Sequence, residues 1–310
     1  MKFDQDYLKK IENYAFKIAH ESGEILHSYF PDIIKSQDLT IEYKDLNLRD
    51  PVTEADKKIQ SFLSEKIKSE FPDHGIVGEE GEAQNDLATD YVWVLDPLDG
   101  TRNFMYGFPI YACSIGVLYQ GEPVVGAIFI PWPNSINSGR VVHASLGNGF
   151  SIDGDTINTS KSRNLDGNSL ITLPGFFHKR YKFSNDFLPI SGELRMGGSI
   201  AYEILMVALG ISQYAVISSA YLWDITGGLA IIKEANCSAL SVKINKNESQ
   251  WSKIDPLVQD WQSGVTKLSD LRHRTNPMLI APTNYIDELK NKISRKNSSI
   301  KKVVNGIFNS

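Results

Sequence analysis

Apolar residues recur at helical spacing over residues 7–30, where Leu8, Ile11, Tyr14, Ala15, Ile18, Ala19, Ile25 and Leu26 fall on one face of a long amphipathic helix. A polar, mixed-charge stretch at 44–49 reads as a loop. Helical period returns over 53–71 through Ala55, Ile59, Phe62, Leu63 and Ile67. The pattern then changes to that of strands. His74 to Gly78 is a short apolar run, and Val92, Trp93, Val94 and Leu95 have the β-branched and aromatic content of a buried strand. Two apolar runs, 114–119 and 124–130, flank Gln120-Gly121-Glu122-Pro123, which is a hairpin signal. Further short strands are expected around Val141, Phe150 and Ile157.

The second half alternates element types: strand 170–173, helix 199–208, strand 213–218, helix 224–235, strand 278–281 and helix 285–294. This order predicts an α/β fold class, with an α+β first half and an α/β second half. Residues 242–274 are polar and poorly periodic and read as an enlarged loop or short hairpin. At 310 residues the chain exceeds what one core usually supports. We therefore expect a first domain at 1–165, a second at 166–294 and a frayed tail at 295–310.

Composition narrows the function. A net charge of −5 with 22% charged residues leaves no broad cationic surface, so nucleic acid is not an expected partner. No apolar run reaches bilayer length, and the first residues lack a signal peptide's apolar core, which points to no membrane and to the cytoplasm. Cys113 and Cys237 have neither metal-type nor redox-type spacing, so reduced, buried thiols are expected.

The densest chemistry lies at Asp96-Pro97-Leu98-Asp99-Gly100-Thr101-Arg102-Asn103-Phe104, directly after the Val92 strand. Pro97 argues against continued pairing as a central strand, and Gly100 permits an unusual backbone angle, so a sharp turn is predicted there. Two carboxylates three apart can converge on one hard cation, while the Gly100 and Thr101 amides open a short helix able to hold an anion. Carboxylates and phosphate share a site when a divalent metal lies between them. Gly78-Glu79-Glu80-Gly81 and Trp223-Asp224-Ile225-Thr226-Gly227-Gly228 add acidic groups, and Asp56 adds one early in a helix, where a dipole interaction alone would explain it.

Taken in order, Asp50-Pro51-Val52-Thr53-Glu54-Ala55-Asp56, Gly78-Glu79-Glu80, the Asp96–Phe104 run and Trp223–Gly228 resemble the inositol monophosphatase family, magnesium-dependent and typically lithium-sensitive phosphomonoesterases. Gly147-Asn148-Gly149-Phe150 with Asp153-Gly154 is a weaker match. The resemblance implies a layered αβαβα sandwich with the site between two domains. It implies two or three Mg2+ ions: Glu79, Asp96 and the Leu98 carbonyl hold the first metal, and Asp96, Asp99 and Asp224 the second. The catalytic candidates are Asp56, Glu79 and Thr101, with Asp56 and Thr101 orienting the attacking water. Asp99, Gly100, Thr101, Gly198 and Ser199 are the phosphate and substrate contacts, the last two through the Arg195-Met196-Gly197-Gly198-Ser199 turn, which also reads as an ordinary helix entry capped by Ser199. The expected partner is a small phosphorylated substrate, and a homodimer stays open.

Some positions depart from the family pattern. Ile217 stands seven residues before Asp224, where inositol-specific members carry a Glu that contacts ring hydroxyls; this predicts weakened discrimination for a polyol. Arg102 adds a cation suited to a second anionic group, Asn236-Cys237 replaces Gly-Gly, and the spacing from Lys44 to Asp56 is one residue longer. Inositol 1-phosphate, another sugar or polyol monophosphate, histidinol phosphate and 3′-phosphoadenosine 5′-phosphate all remain open as substrates. Rival readings fare worse: a haloacid-dehalogenase-like aspartyl nucleophile needs carboxylates two apart, and an EF-hand needs a Glu where Met105, Tyr106 and Gly107 stand. A catalytically silent, partner-binding relative would have no need of Glu79, Asp96, Asp99, Thr101 and Asp224 together. His74, His143 and His178 lack ligand spacing and are read as structural.

Overall fold

The computed structural model describes residues 3–30, 42–43, 51–81, 86–133, 139–157, 165–188, 191–245, 248–254 and 256–296. Lys44, the 44–49 loop and residues 297–310 of the expected tail lie outside them.

Helix α1 (Gln5–Tyr29) starts where Asp4 accepts the Tyr7 amide, and buries Leu8, Ile11, Ala15, Ile18, Ala19 and Leu26 as its periodicity predicts. A two-stranded ladder, β1 (Glu42–Tyr43) with β2 (Pro51–Val52), precedes helix α2 (Glu54–Glu70). A seven-stranded sheet follows in chain order: β3 (Gly75–Gly78), β4 (Tyr91–Asp99), β5 (Ala112–Tyr119), β6 (Glu122–Pro131), β7 (Gly139–Ser145), β8 (Phe150–Ile152) and β9 (Asp155–Thr156), with the short helix α3 (Thr101–Met105) after β4. Only β3 and β4 pair in parallel; the later neighbours are antiparallel. The predicted hairpin closes on two residues, Gln120 at φ 48° and Gly121 at φ 84°, the backbone of a tight turn that matches strand twist.

Strand alternation sorts the core into layers. Val92 and Val94 face one side of the first sheet, Trp93 and Leu95 the other, where α1 and α2 cover them. The second half contains β10 (Leu170–Thr172), α4 (Phe177–Arg180), β11 (Tyr181–Phe183), β12 (Glu193–Arg195), α5 (Ile200–Ala208), β13 (Ser212–Ile217), α6 (Leu222–Glu234), β14 (Cys237–Asn245), β15 (Glu248–Lys253), β16 (Met278–Pro282), α7 (Ile286–Lys292) and β17 (Ile293–Arg295). Its six-stranded sheet runs β12-β10-β13-β16-β14-β15. Ala215 and Ile217 join Val92, Val94 and the apolar faces of α5 and α6 in one buried cluster, while Tyr214 and Val216 pack outward with Phe177, Ile286 and Leu289. Helices, sheet, helices, sheet, helices: the expected αβαβα sandwich is present.

Two details differ from the pattern-based expectation, and one open alternative is resolved. The second sheet is mixed, parallel from β12 through β13 and antiparallel beyond, because β16 and the β14–β15 hairpin add to β13 without a helical crossover between β14 and β15. Of the enlarged loop or short hairpin expected at 242–274, the hairpin is found at its start; its far strand lies at the sheet edge, which explains the weak apolar signal. The last helix ends at Lys292, and Ile293–Arg295 pairs with β11 instead.

Helix α6 lies against the first sheet at backbone distance. A Cβ at Gly126 would come within 2.1 Å of the Gly227 carbonyl oxygen, and one at Gly116 within 2.6 Å of the Gly227 nitrogen. Two of the histidines are packed into the fold. His74 stacks between Phe71 and Tyr91 and accepts a 3.0 Å hydrogen bond from Trp93 Nε1 at Nδ1, and burial holds its pKa down at about 4. His143 is buried against Glu12. Cys113 and Cys237 are buried free thiols. Among the described residues no helix is long and apolar enough to cross a membrane.

Candidate active site

Strand β4 does not stop at Pro97. Asp96 pairs with Ser114 and Asp99 with Ala112, and the ladder shifts register between them. Pro97, without an amide hydrogen to donate, sits in this irregularity rather than ending the strand. The shift projects Asp96 and Asp99 from one strand end, and the turn follows at Gly100, whose φ is +92°. Any side chain there would also press within 3.0 Å of the Ile110 carbonyl and the Ser199 Cβ. Gly100 caps α3, so the first-turn amides, Thr101 among them, have no carbonyl four residues back.

Each acidic group is oriented by its own neighbourhood. The Leu98 amide donates to Asp96 Oδ1 (3.0 Å), and the Tyr221 amide donates to Asp224 Oδ2 (2.8 Å) as part of a capping box at the start of α6. Asp99 Oδ2 accepts from Ser199 Oγ (2.8 Å) and the Ala201 amide (2.5 Å). Asp56, fully buried, accepts the Thr53 amide at Oδ2 (2.8 Å). The Thr101 hydroxyl donates to the Leu98 carbonyl (3.0 Å) and lies 3.4 Å from Asp56 Oδ1. Glu79 follows β3, with its amide bonded to the Leu95 carbonyl at 2.9 Å, which places it beside the end of β4.

Electrostatics ties these groups together. Burial first, then the charges of Glu79, Asp99 and Asp224, drive the Asp96 pKa well above the carboxylate range. Asp224 is raised likewise by burial and by Asp99, against an opposing pull from Arg274. Burial lifts Asp99 to about 7, offset in part by the donors Ala201 and Ser199. Asp56 also stands at about 7, through burial and with Glu80 and Glu79 contributing. Acidic groups that oppose one another's ionisation in this way favour a multivalent cation among them. As the side chains stand, no three acidic, histidine or cysteine side chains among the described residues surround one point closely enough to hold an ion. The donor set of carboxylates and a backbone carbonyl nonetheless has the hard-oxygen chemistry of magnesium.

The structure brings Asp56, Glu79, Asp96, Leu98, Asp99, Gly100, Thr101, Ser199 and Asp224 into one region. Gly198 differs from expectation. Its amide and that of Gly197 donate to Glu203 Oε1 at 3.0 and 2.7 Å, so the glycine turn is satisfied from within. Asn103 holds that turn to α3 by donating to the Gly197 carbonyl (2.8 Å) and to Ile110 (2.7 Å). Ile217 also departs from expectation. It is 1% exposed in the core between the sheets, so it cannot face a substrate. Arg102 is exposed on α3. The roles of Asn103, Glu203 and Ser199 Oγ were not apparent from spacing, and only the position of Asn103 within the Asp96–Phe104 run hinted at one.

Comparison with known proteins identifies the family and the fold. Residues 7–275 match the model of the inositol monophosphatase family. The chain is 37% identical over 202 residues to the chloroplastic phosphatase IMPL1 of Arabidopsis thaliana, covering 63% of this chain and 54% of that one. It is 33% identical over 235 residues to the Aquifex aeolicus protein named fructose-1,6-bisphosphatase/inositol-1-monophosphatase, covering 74% and 84%. The fold is similar to that of the extragenic suppressor protein suhB of Bartonella henselae, with a TM-score of 0.67 at 21% identity over 91% of this chain and 97% of that one. A phosphatase architecture with its acidic cluster at the end of β4, matched over nearly all its length, establishes that this chain belongs to the inositol monophosphatase family of phosphoric monoester hydrolases.

Proposed function

We propose that the chain hydrolyses a small phosphorylated alcohol with magnesium, inositol 1-phosphate or a related sugar or polyol monophosphate being the leading class. The observation that carries this reading is the meeting of Asp96 and Asp99 from β4 with Asp224 from α6, Asp99 and Asp224 raising the Asp96 pKa and Asp99 that of Asp224, beside the Thr101–Asp56 pair. Two or three ions are assigned, with Glu79, Asp96 and the Leu98 carbonyl holding one and Asp96, Asp99 and Asp224 another. When bound, magnesium supplies positive charge against the phosphoryl oxygens and makes a water easier to deprotonate.

The chain's own groups do the rest. Thr101 Oγ1 and Asp56 Oδ1 orient the attacking water and handle its proton, as a general base within hydrogen-bond reach must. The Gly100 and Thr101 amides hold the phosphoryl group at the first turn of α3. Ser199 fixes Asp99 rather than binding substrate, which refines its role. Residues 1–165 thus supply most of the metal ligands, and residues 166–294 supply Asp224 and the brace on Asp99. The Aquifex relative's name supports sugar phosphates; histidinol phosphate and 3′-phosphoadenosine 5′-phosphate are the alternatives. Phosphate release from each class by the purified protein with magnesium tests the proposal. Release from none of them, by a folded protein, refutes it.

A further inference from the structure

Arg272 stands outside the acidic cluster, on a strap that no motif marks, yet it touches two of the elements that carry the cluster. Its Nη1 donates to the Gly78 carbonyl (2.6 Å) and its Nη2 to the Glu79 carbonyl (2.9 Å), so one planar fork grips two consecutive peptide groups at the end of β3. The guanidinium also lies 5.2 Å from the ring centroid of Trp223, the residue before Asp224. Trp223 stacks on Tyr221 at 4.4 Å and 13°, and the Arg274 guanidinium covers Tyr221 at 4.2 Å. Two arginines therefore enclose the aromatic pair at the start of α6.

The strap is anchored at both ends. Arg274 Nη1 donates to the Ser219 carbonyl (3.0 Å), and the Thr275 amide donates to the Ala220 carbonyl (2.7 Å) just ahead of α6. Upstream, Leu268 packs on Gly75 of β3, and its amide donates to the Asp86 carbonyl (2.9 Å). Residues 264–275 thus span from the Glu79 side of the first sheet to the Asp224 helix.

We propose that Arg272 is a positioning residue that sets the spacing between Glu79 and Asp224, and through it the affinity of the site for magnesium. This rests on the metal assignment above. A planar guanidinium suits the task because it can bind two carbonyls in its own plane while its face lies on an indole; a lysine ammonium can hold one carbonyl but cannot keep that geometry. A residue needed only for folding would alter thermal stability. A residue that spaces the ligands alters metal binding first.

The test is magnesium binding by calorimetry to the folded full-length protein, wild type, Arg272→Lys and Arg272→Met, alongside activity as a function of magnesium. Arg272→Lys keeps charge and stem and is the variant expected to fold. We expect about a tenfold weaker magnesium affinity in Arg272→Lys, turnover at saturating magnesium within a few-fold of wild type, an unchanged KM for substrate, and faster amide exchange at residues 78–81. Unchanged affinity and exchange in both variants, or lost turnover at intact affinity, overturns the assignment. Failure of the wild type itself to bind magnesium would instead remove the metal reading on which it rests, and this proposal with it.

Discussion

The Thr101 hydroxyl donates to the Leu98 carbonyl at 3.0 Å and stands 3.4 Å from Asp56 Oδ1, so residues from a strand end, a turn and a separate helix meet at one oxygen. Thr101→Ala removes that meeting point. Because orientation of an attacking group matters chiefly in the transition state, kcat should fall about a hundredfold with KM little changed, and Thr101→Ser should recover most of the loss. Steady-state kinetics decides; a raised KM at unaltered kcat would make Thr101 a binding residue.

Asp96→Asn should abolish activity and magnesium binding while leaving the metal-free protein as stable as wild type or more so. Asp96 is buried among acidic neighbours that oppose its ionisation, so the amide relieves repulsion at nearly constant shape. Melting in EDTA with calorimetry in magnesium reads both effects. Retained turnover at modest magnesium would contradict the shared-ligand role.

The carboxyl groups also predict a pH dependence with a definite sign. Asp56 and Asp99 stand at about 7 in the folded protein against an ordinary 3.8, so the folded state holds protons that the unfolded state has lost. Their contribution to stability is complete below pH 4 and is lost as pH rises through 7. Metal-free protein should therefore melt several degrees lower at pH 8 than at pH 6, and saturating magnesium should flatten that slope. His74, whose pKa is depressed from 6.5 to about 4, adds stability as pH rises toward and just past 6.5, so it offsets part of the loss at the lower edge of this window. An equal slope with and without magnesium would detach these groups from the metal.

Ile217→Glu should not confer preference for inositol 1-phosphate. The side chain lies between the two sheets, so the new carboxylate would be buried unpaired and should cost about 3 kcal/mol or more. Denaturant titration measures the loss. A stable variant with a shifted substrate ratio would show that the position reaches the pocket after all.

Where the site is local in sequence, it was readable. Asp96 to Thr101 form one strand end, one left-handed glycine and one helix turn; the glycine and the helix turn follow from residue type, whereas Pro97, expected to end the pairing, sits in a register shift that carries the strand on to Asp99. The unbroken apolar run Val92–Leu95 likewise foretold a buried strand, and the structure covers it on both faces. Pairings over long separations were not readable. Ser199 meets Asp99 and Arg272 meets Glu79 across 100 and 193 residues, and no periodicity encodes such a meeting. Ile217 was misjudged because its distance from Asp224 along the chain says nothing about which side of β13 it occupies; strand alternation, shared with Ala215, puts it inside. The Gly198 turn favours the second of its two readings, an ordinary helix entry, because Glu203, five residues on, turns back to accept from the amides that looked available.

The contact between Gly126 and Gly227 bears on how this catalyst can change over time. Asp224 rides on a helix seated against its sheet with only hydrogen atoms between the two backbones. A methyl group at position 126 would act as a wedge, lifting the near end of that helix and carrying Asp224 away from the acidic groups at the end of β4. Substrate preference can drift through loops without disturbing this seat, so the reaction and the choice of what to react with are free to evolve at different rates.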